Sequence, residues 1–94
     1  MPRNATITLP AKEWVELTNA DVTAIRVQNL TGNPVRLVAT GTSEPSDDTG
    51  HIRLNGGEII AANGTIAALW PGESTATRIW AICDFHGRVS VSHA

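Results

Sequence analysis

Short segments rich in Val, Ile and Thr recur about every 10 to 12 residues along this chain, and turn-forming Gly, Pro, Asn or Asp separates each segment from the next. Within the segments apolar and polar residues alternate; in residues 5–9, for example, Ile7 and Leu9 share one side of the extended chain. A period of two is typical of strands that bury one face. The pattern predicts an all-β fold of about eight short strands, an antiparallel β-sandwich or barrel.

The length of the chain suits one domain, and we predict a single β-sandwich domain over residues 1–94. Two domains of half this size would each be too small to form a hydrophobic core without metals or disulfides. A domain this small buries only about 60 to 68% of the surface of its unfolded chain, so a partner that covers more surface adds stability. The size therefore favours an oligomer.

The clearest predicted hairpin joins residues 22–30 to residues 35–40 through the turn formers of residues 31–34. The apolar residues expected to face each other in it are Ile25 and Val27 on the first strand and Leu37 and Val35 on the second. The polar residues expected together on its outer face are Arg26, Gln28 and Arg36.

A second hairpin is predicted to join residues 76–84 to residues 88–93 across residues 85–87. Its first strand is apolar on both faces, with Ile79, Ala81 and Cys83 on one face and Trp80 and Ile82 on the other. We therefore expect this strand to be central in its sheet or to be covered by a neighbouring subunit.

The rest of the chain is predicted as further short strands and one long loop. The strands are residues 13–18, 51–54, 58–61 and 65–69. Residues 41–50 contain many turn formers and no large apolar side chain, so we expect an exposed, mobile loop. Its carboxylates, Glu44, Asp47 and Asp48, are expected to have no neighbour that shifts a pKa.

The charge and the cysteine content of the chain argue against several classes of function. The net charge is −2, and the seven basic residues are scattered singly, so no nucleic-acid binding is predicted. The single cysteine, Cys83, allows no internal disulfide and favours folding in the cytoplasm. We expect neither a signal peptide nor a membrane span. The three Asn-x-Thr motifs, at Asn4, Asn29 and Asn63, are interpreted as strand and turn chemistry.

We predict no catalytic site, no cofactor and no metal. The only set that suits a soft metal is Cys83 with the three histidines, His51, His86 and His93. Of these, Cys83, His86 and His93 would cluster at one end of the last predicted hairpin, but His86 lies in a turn and a zinc site needs three or four ligands in fixed geometry. We expect solvated histidines and a cysteine that is buried as a small apolar residue.

The tryptophans and the outward polar side chains are the candidate protein-interface residues, because large aromatic residues and arginines often anchor interfaces. Trp14 is the first choice, since alternation places it on the same side as Glu16, opposite the apolar side of its strand. The predicted interface residues are Trp14, Glu16, Arg26, Arg36, Trp70 and Trp80. For Trp80, which is flanked by Ile79 and Ile82, a core position is the alternative that its neighbours favour.

Two stretches resemble small virion proteins of tailed bacteriophages: VTAIRVQNLTGNPVRLVAT at residues 22–40 and IWAICDFHGRVSVSHA at residues 79–94. The resemblance implies an antiparallel β-sandwich of the jelly-roll kind on the phage particle, either a head decoration (cement) protein or the base of a head spike. It also implies folding in the host cytoplasm, a place on the phage head, and contacts with the major capsid protein or other virion proteins. Such proteins often form homo-oligomers, and a trimer is favoured.

Other roles stay open at this point. The chain could belong to the neck, tail or receptor-binding fibre of a phage, with the loop of residues 41–50 facing a partner. It could also be a carbohydrate-binding β-sandwich module, in which Trp14 or Trp70 would stack on a sugar ring.

Overall fold

Eight β-strands and one short helix follow one another in the computed structural model, which describes residues 3–60, 65–73 and 75–93. The strands are β1 (Arg3–Leu9), β2 (Val15–Glu16), β3 (Arg26–Asn29), β4 (Val35–Thr40), β5 (Ile52–Leu54), β6 (Ile59–Ile60), β7 (Arg78–Cys83) and β8 (Gly87–His93). The helix, α1 (Ile66–Leu69), lies between β6 and β7.

The strands form two four-stranded antiparallel sheets. Sheet I has the order β1-β8-β3-β6, and sheet II has the order β2-β7-β4-β5. Only β4 and β5 are neighbours both along the chain and within a sheet, because every other pair of successive strands is divided between the two sheets. This is the strand order of a jelly roll, and it confirms the predicted fold class.

The core lies between the sheets and consists of the inward residues of each strand. Buried and more exposed residues alternate along β7 and β8, as the period of two predicts. Val15 and Leu17 form the apolar side of the strand predicted at residues 13–18, and they pack in the core or against it. The largest fully buried apolar side chains include Leu9, Leu17, Ile25, Val27, Val35, Leu37, Ile79, Val89 and Val91.

Both predicted hairpins are wrong. β3 pairs with β8 and β6, β4 pairs with β7 and β5, and β7 and β8 lie in different sheets. The prediction of the inward residues is confirmed, because Val27 and Leu37 are fully buried, but they come from the two opposing sheets instead of adjacent strands. The shared outer face is therefore wrong as well: Arg26 and Gln28 lie on sheet I, whereas Arg36 lies on sheet II.

The strand predicted at residues 76–84 is central, as expected. It forms β7, which has β2 on one side and β4 on the other. Its inward residues, Ile79, Ala81 and Cys83, are fully buried, and its outward Trp80 and Ile82 are half-buried. Cys83 is the buried small residue predicted, and its thiol lies 3.5 Å from the Pro34 carbonyl oxygen.

The strand predicted at residues 65–69 is a helix. Thr65 caps α1, because its Oγ1 accepts a hydrogen bond of 3.1 Å from the Ala68 amide. Ala67, Ala68 and Leu69 are good helix formers, so the local preference agrees with one helical turn. The strand predicted at residues 58–61 is β6; residue 61 and the predicted turn residue Asn63 lie outside the described residues.

The crossing from β3 to β4 is organised by Asn29, which is 0% exposed. Its Nδ2 donates to the carbonyl oxygens of Asn33 at 2.7 Å and Leu54 at 3.0 Å. Its Oδ1 accepts from the amide and the hydroxyl of Thr31 at 2.9 and 2.8 Å. The prediction of strand and turn chemistry at this position is confirmed, because the side chain closes the turn from inside the protein.

Candidate interaction surface

The outer face of sheet II carries an apolar centre between two groups of ion pairs. Trp80 stands at this centre, with Glu16 opposite it on β2 and Val38 opposite it on β4. Ile82 lies opposite Arg36 in the next outward row. We call the outward residues of β7 and β4 with Glu16 the Trp80 face; they are Arg78, Trp80, Ile82, Arg36, Val38, Thr40 and Glu16.

The indole N–H of Trp80 is in an unusual environment for a tryptophan on an outer face. Its indole Nε1 is buried and has no hydrogen-bond partner within residues 3–60, 65–73 and 75–93. Leaving a buried donor without an acceptor costs about 1 to 3 kcal/mol. The indole ring itself is half-buried, so part of it is accessible to another molecule.

Arg78 fixes the charges on one side of the Trp80 face. Its Nη1 donates to Glu16 at 2.8 Å, and its Nε donates to Asp21 at 2.8 Å. Glu16 and Asp21 also accept bonds of 3.0 Å from the hydroxyls of Thr18 and Thr77. The hydrogen bond from Arg78 lowers the pKa of Asp21, and the same bond raises the pKa of Arg78.

Arg36 fixes the charges on the other side. Its guanidinium donates to Asp48 at 2.7 Å and to Asp84 at 2.6 Å. The hydrogen bond from Arg36 lowers the pKa of Asp48, so the expectation of an undisturbed carboxylate is wrong at this position. Asp48 lies far along the chain from Arg36, and the fold brings the two together. These residues border an open cleft of about 320 Å³ that is also lined by Pro34, His51 and Arg53.

Trp70 is a core residue, which corrects its prediction as an interface or sugar-stacking residue. It is 7% exposed and belongs to the hydrophobic core. Its Nε1 donates to the Gly50 carbonyl oxygen at 2.9 Å, so it anchors the end of the loop of residues 41–50. Most residues of that loop are exposed as predicted, whereas Pro45 is buried. A tryptophan packed in this way has no free ring face for a partner.

The other predicted interface residues fall on two sides of the sandwich. Glu16, Arg36 and Trp80 belong to the Trp80 face, and half-buried Trp14 directly precedes β2 at its margin. Arg26 lies on the outer face of sheet I, where it donates to the Ser90 hydroxyl at 3.2 Å.

The outer face of sheet I has a different chemistry. It carries no carboxylate, because the strands of sheet I contain neither Asp nor Glu. Its outward side chains are mostly hydroxyls and amides, with two arginines; they are Asn4, Thr6, Thr8, Arg26, Gln28, Ile59, Arg88, Ser90 and Ser92.

Arg78 is the functional candidate that sequence reasoning missed. Residues 78, 80 and 82 alternate along one strand, so the period of two already places Arg78 beside Trp80. Its two acidic partners come from the segment around β2, and no sequence signal pairs them with it. Three exposed large apolar residues in the described part of the chain were also missed, Leu30 at 43%, Ile59 at 51% and Phe85 at 62% exposure.

Histidines and acidic residues form no metal-binding group of three or more in the described part of the chain. His86 is exposed as expected, whereas His93 is buried, which corrects the prediction of a solvated side chain. No described helix has the length and apolar character to cross a membrane.

Comparison with protein-family models, with curated proteins and with solved structures finds no match for this chain.

Proposed function

We propose that this chain is a structural subunit of a bacteriophage particle, a capsid decoration (cement) protein that binds the head lattice through the Trp80 face. The observation that carries the proposal is the half-buried tryptophan at the centre of that face, whose buried indole N–H has no acceptor among the described residues. Rotation of the indole towards a partner would let its N–H donate to a carbonyl or carboxylate of that partner. The resemblance of residues 22–40 and 79–94 to phage virion proteins directs the proposal to the capsid, and jelly rolls are frequent in viral capsid domains.

The ion pairs on both sides of Trp80 suit a contact in which few charged side chains have to be ordered. Arg78 and Arg36 are each held by two carboxylates, so their side chains are already ordered before a partner arrives. Tryptophan and arginine are the residues that most often dominate binding energy, particularly at the centre of a contact. Repetition of such a contact over a capsid lattice adds avidity, so each single contact need not be strong.

Co-sedimentation with capsids that lack the decoration protein tests the proposal. The wild-type chain is expected to pellet with the capsids, and Trp80→Ala is expected to bind about thirtyfold more weakly, as for a residue worth about 2 kcal/mol. Ile59→Ala is the matched control, because Ile59 is an exposed apolar residue on the opposite sheet. Urea unfolding of each variant separates weaker binding from loss of the fold.

Two results would contradict the proposal: no wild-type protein in the capsid pellet, or equal binding by Trp80→Ala and wild type. Immunogold labelling of whole particles then distinguishes a head position from a neck, tail or fibre position.

A further inference from the structure

The four edge strands of the sandwich differ greatly in length. β2, β5 and β6 have two, three and two residues, whereas β1 has seven. β1 pairs along one side with β8 and has no other strand partner among the described residues. Every second residue of β1 therefore points its N–H and C=O away from the sheet.

β1 also lacks the features that normally protect an edge. Natural sheets block edge-to-edge pairing with short strands, charged side chains, prolines or bulges. After Arg3, β1 has no charged residue and no proline up to Leu9, and its register with β8 is continuous over all seven pairs. From Asn4 to Leu9 the strand is thus a regular and uncharged template for another strand.

The inward side of β1 is incompletely covered. Ala5 and Ile7 point inward but are only half-buried, whereas their register partners on β8, Val91 and Val89, are fully buried. A further strand beside β1 would therefore cover the accessible part of these apolar side chains and bond free backbone groups at once.

We propose that the β1 edge binds the β1 edge of a second copy of this chain, in antiparallel orientation about a two-fold axis at Thr6. The two copies of sheet I then form one continuous eight-stranded sheet. The inference does not depend on the proposed capsid role, because the pairing forms between free subunits in solution.

The sequence of β1 fits pairing with itself. With Thr6 opposite Thr6, Ala5 lies opposite Ile7 on the inward side and Asn4 lies opposite Thr8 on the outward side. Each Arg3 lies opposite a Leu9, so no like charges meet directly. An isologous contact of this kind needs the same patch on both subunits to be self-complementary, and this register meets that condition.

Cysteine cross-linking tests the two-fold register. Directly opposite residues of antiparallel strands have Cα atoms about 4.5 or 5.5 Å apart, within the span of a disulfide. Thr6→Cys is expected to form a disulfide-linked dimer on mild oxidation. Thr8→Cys is the matched control, an exposed threonine on the same strand that would lie about 13 Å from its copy. Equal cross-linking rates for the two variants, or none for Thr6→Cys, would overturn the register.

Sedimentation velocity tests the pairing itself. The wild-type chain is expected to sediment as a dimer, with twice the 10.0 kDa of one chain, whereas the virion resemblance implies a trimer. Thr6→Lys puts like charges opposite each other and should raise the dimer dissociation constant about fivefold. An equimolar mixture of Thr6→Lys and Thr6→Glu should recover the pairing, because opposite charges then meet.

A monomeric or trimeric wild type, or no gain on mixing the two charge variants, would overturn the proposal. Failure of capsid binding would leave these measurements unchanged, and a dimer could exist without capsid binding. The two proposals therefore fail separately.

Discussion

At the residue scale, the molecule depends on a buried amide that apolar patterning does not reveal. Asn29 is fully buried, yet both of its side-chain polar atoms are hydrogen-bonded within the protein. It joins Leu54, at the end of β5, to the turn that follows β3. Because a buried polar group is costly only when it lacks partners, this residue stabilises the crossing between the sheets.

Asn29→Asp is expected to destabilise the protein by about 3 kcal/mol or more, because a carboxylate cannot donate and would face two carbonyl oxygens. Urea unfolding at pH 7 measures the change. Asn4→Asp, on the exposed face of β1, is the matched control and should change the free energy of unfolding by less than about 0.5 kcal/mol. Equal stability of Asn29→Asp and wild type would contradict this account of the turn.

Sequence reasoning separated the tryptophans only in part. All three are large apolar residues in a chain with few aromatics, so their composition alone supports either a core or an interface role. Alternation placed Trp80 on the side of its strand opposite Ile79 and Cys83, but its apolar neighbours favoured a core position, and the structure shows it half-buried on the outer face. Trp70 follows a helical turn that was predicted as a strand, so its direction could not be read from a period of two.

At the element scale, the sequence predicts which face of a strand is buried but not which strand it pairs with. A period of two buries the same residues whether two successive strands pair in one sheet or pack across the core. Val27 and Val35 illustrate this, because both are inward in either arrangement. Asn29 and the turn after it favour a crossing from one sheet to the other over a hairpin, because Asn29 bonds to β5, which is distant in sequence.

The turn between β5 and β6 provides a test of such a contact. A Cβ on Gly56 would lie 2.7 Å from the Thr31 carbonyl oxygen, so Gly56→Ala should force the backbone of the β3–β4 crossing to move. We expect destabilisation of about 1 to 3 kcal/mol by urea unfolding. Gly72→Ala is the control, because nothing lies within 4 Å of its Cβ position. If Gly72→Ala lost as much stability as Gly56→Ala, the close approach of Gly56 to Thr31 would not explain the loss.

At the scale of the whole molecule, charge is distributed unequally between the two sides. The strands of sheet I have no carboxylate, whereas sheet II and its adjoining loops hold the ion pairs of Arg36 and Arg78. This arrangement is not visible in the sequence, because successive strands lie mostly in different sheets and their charged residues are therefore interleaved along the chain. Only the folded chain separates the charges of the two sheets.

The two ion-pair groups predict a loss of stability in acid. Asp21 and Asp48 have pKa values lowered by Arg78 and Arg36, so the unfolded chain binds protons at these groups before the folded chain does. Their stabilisation is present above about pH 4 and is lost as the pH falls through the lowered folded-state pKa values. Urea unfolding between about pH 5 and pH 2 should show this slope.

A double variant, Asp21→Asn with Asp48→Asn, is expected to show a shallower acid dependence than wild type. Glu44→Gln, in the exposed loop, is the control and should keep the wild-type slope. An unchanged slope in the double variant would assign the acid sensitivity to other groups.

The position of β8 between β1 and β3 determines when sheet I can assemble during synthesis. Until β8 has left the ribosome, β1 has no partner within its own sheet and β3 has only the two-residue β6. A nascent chain therefore carries an unpaired β1 until β8 has emerged, and the same self-complementarity that suits a dimer exposes neighbouring nascent chains to premature association.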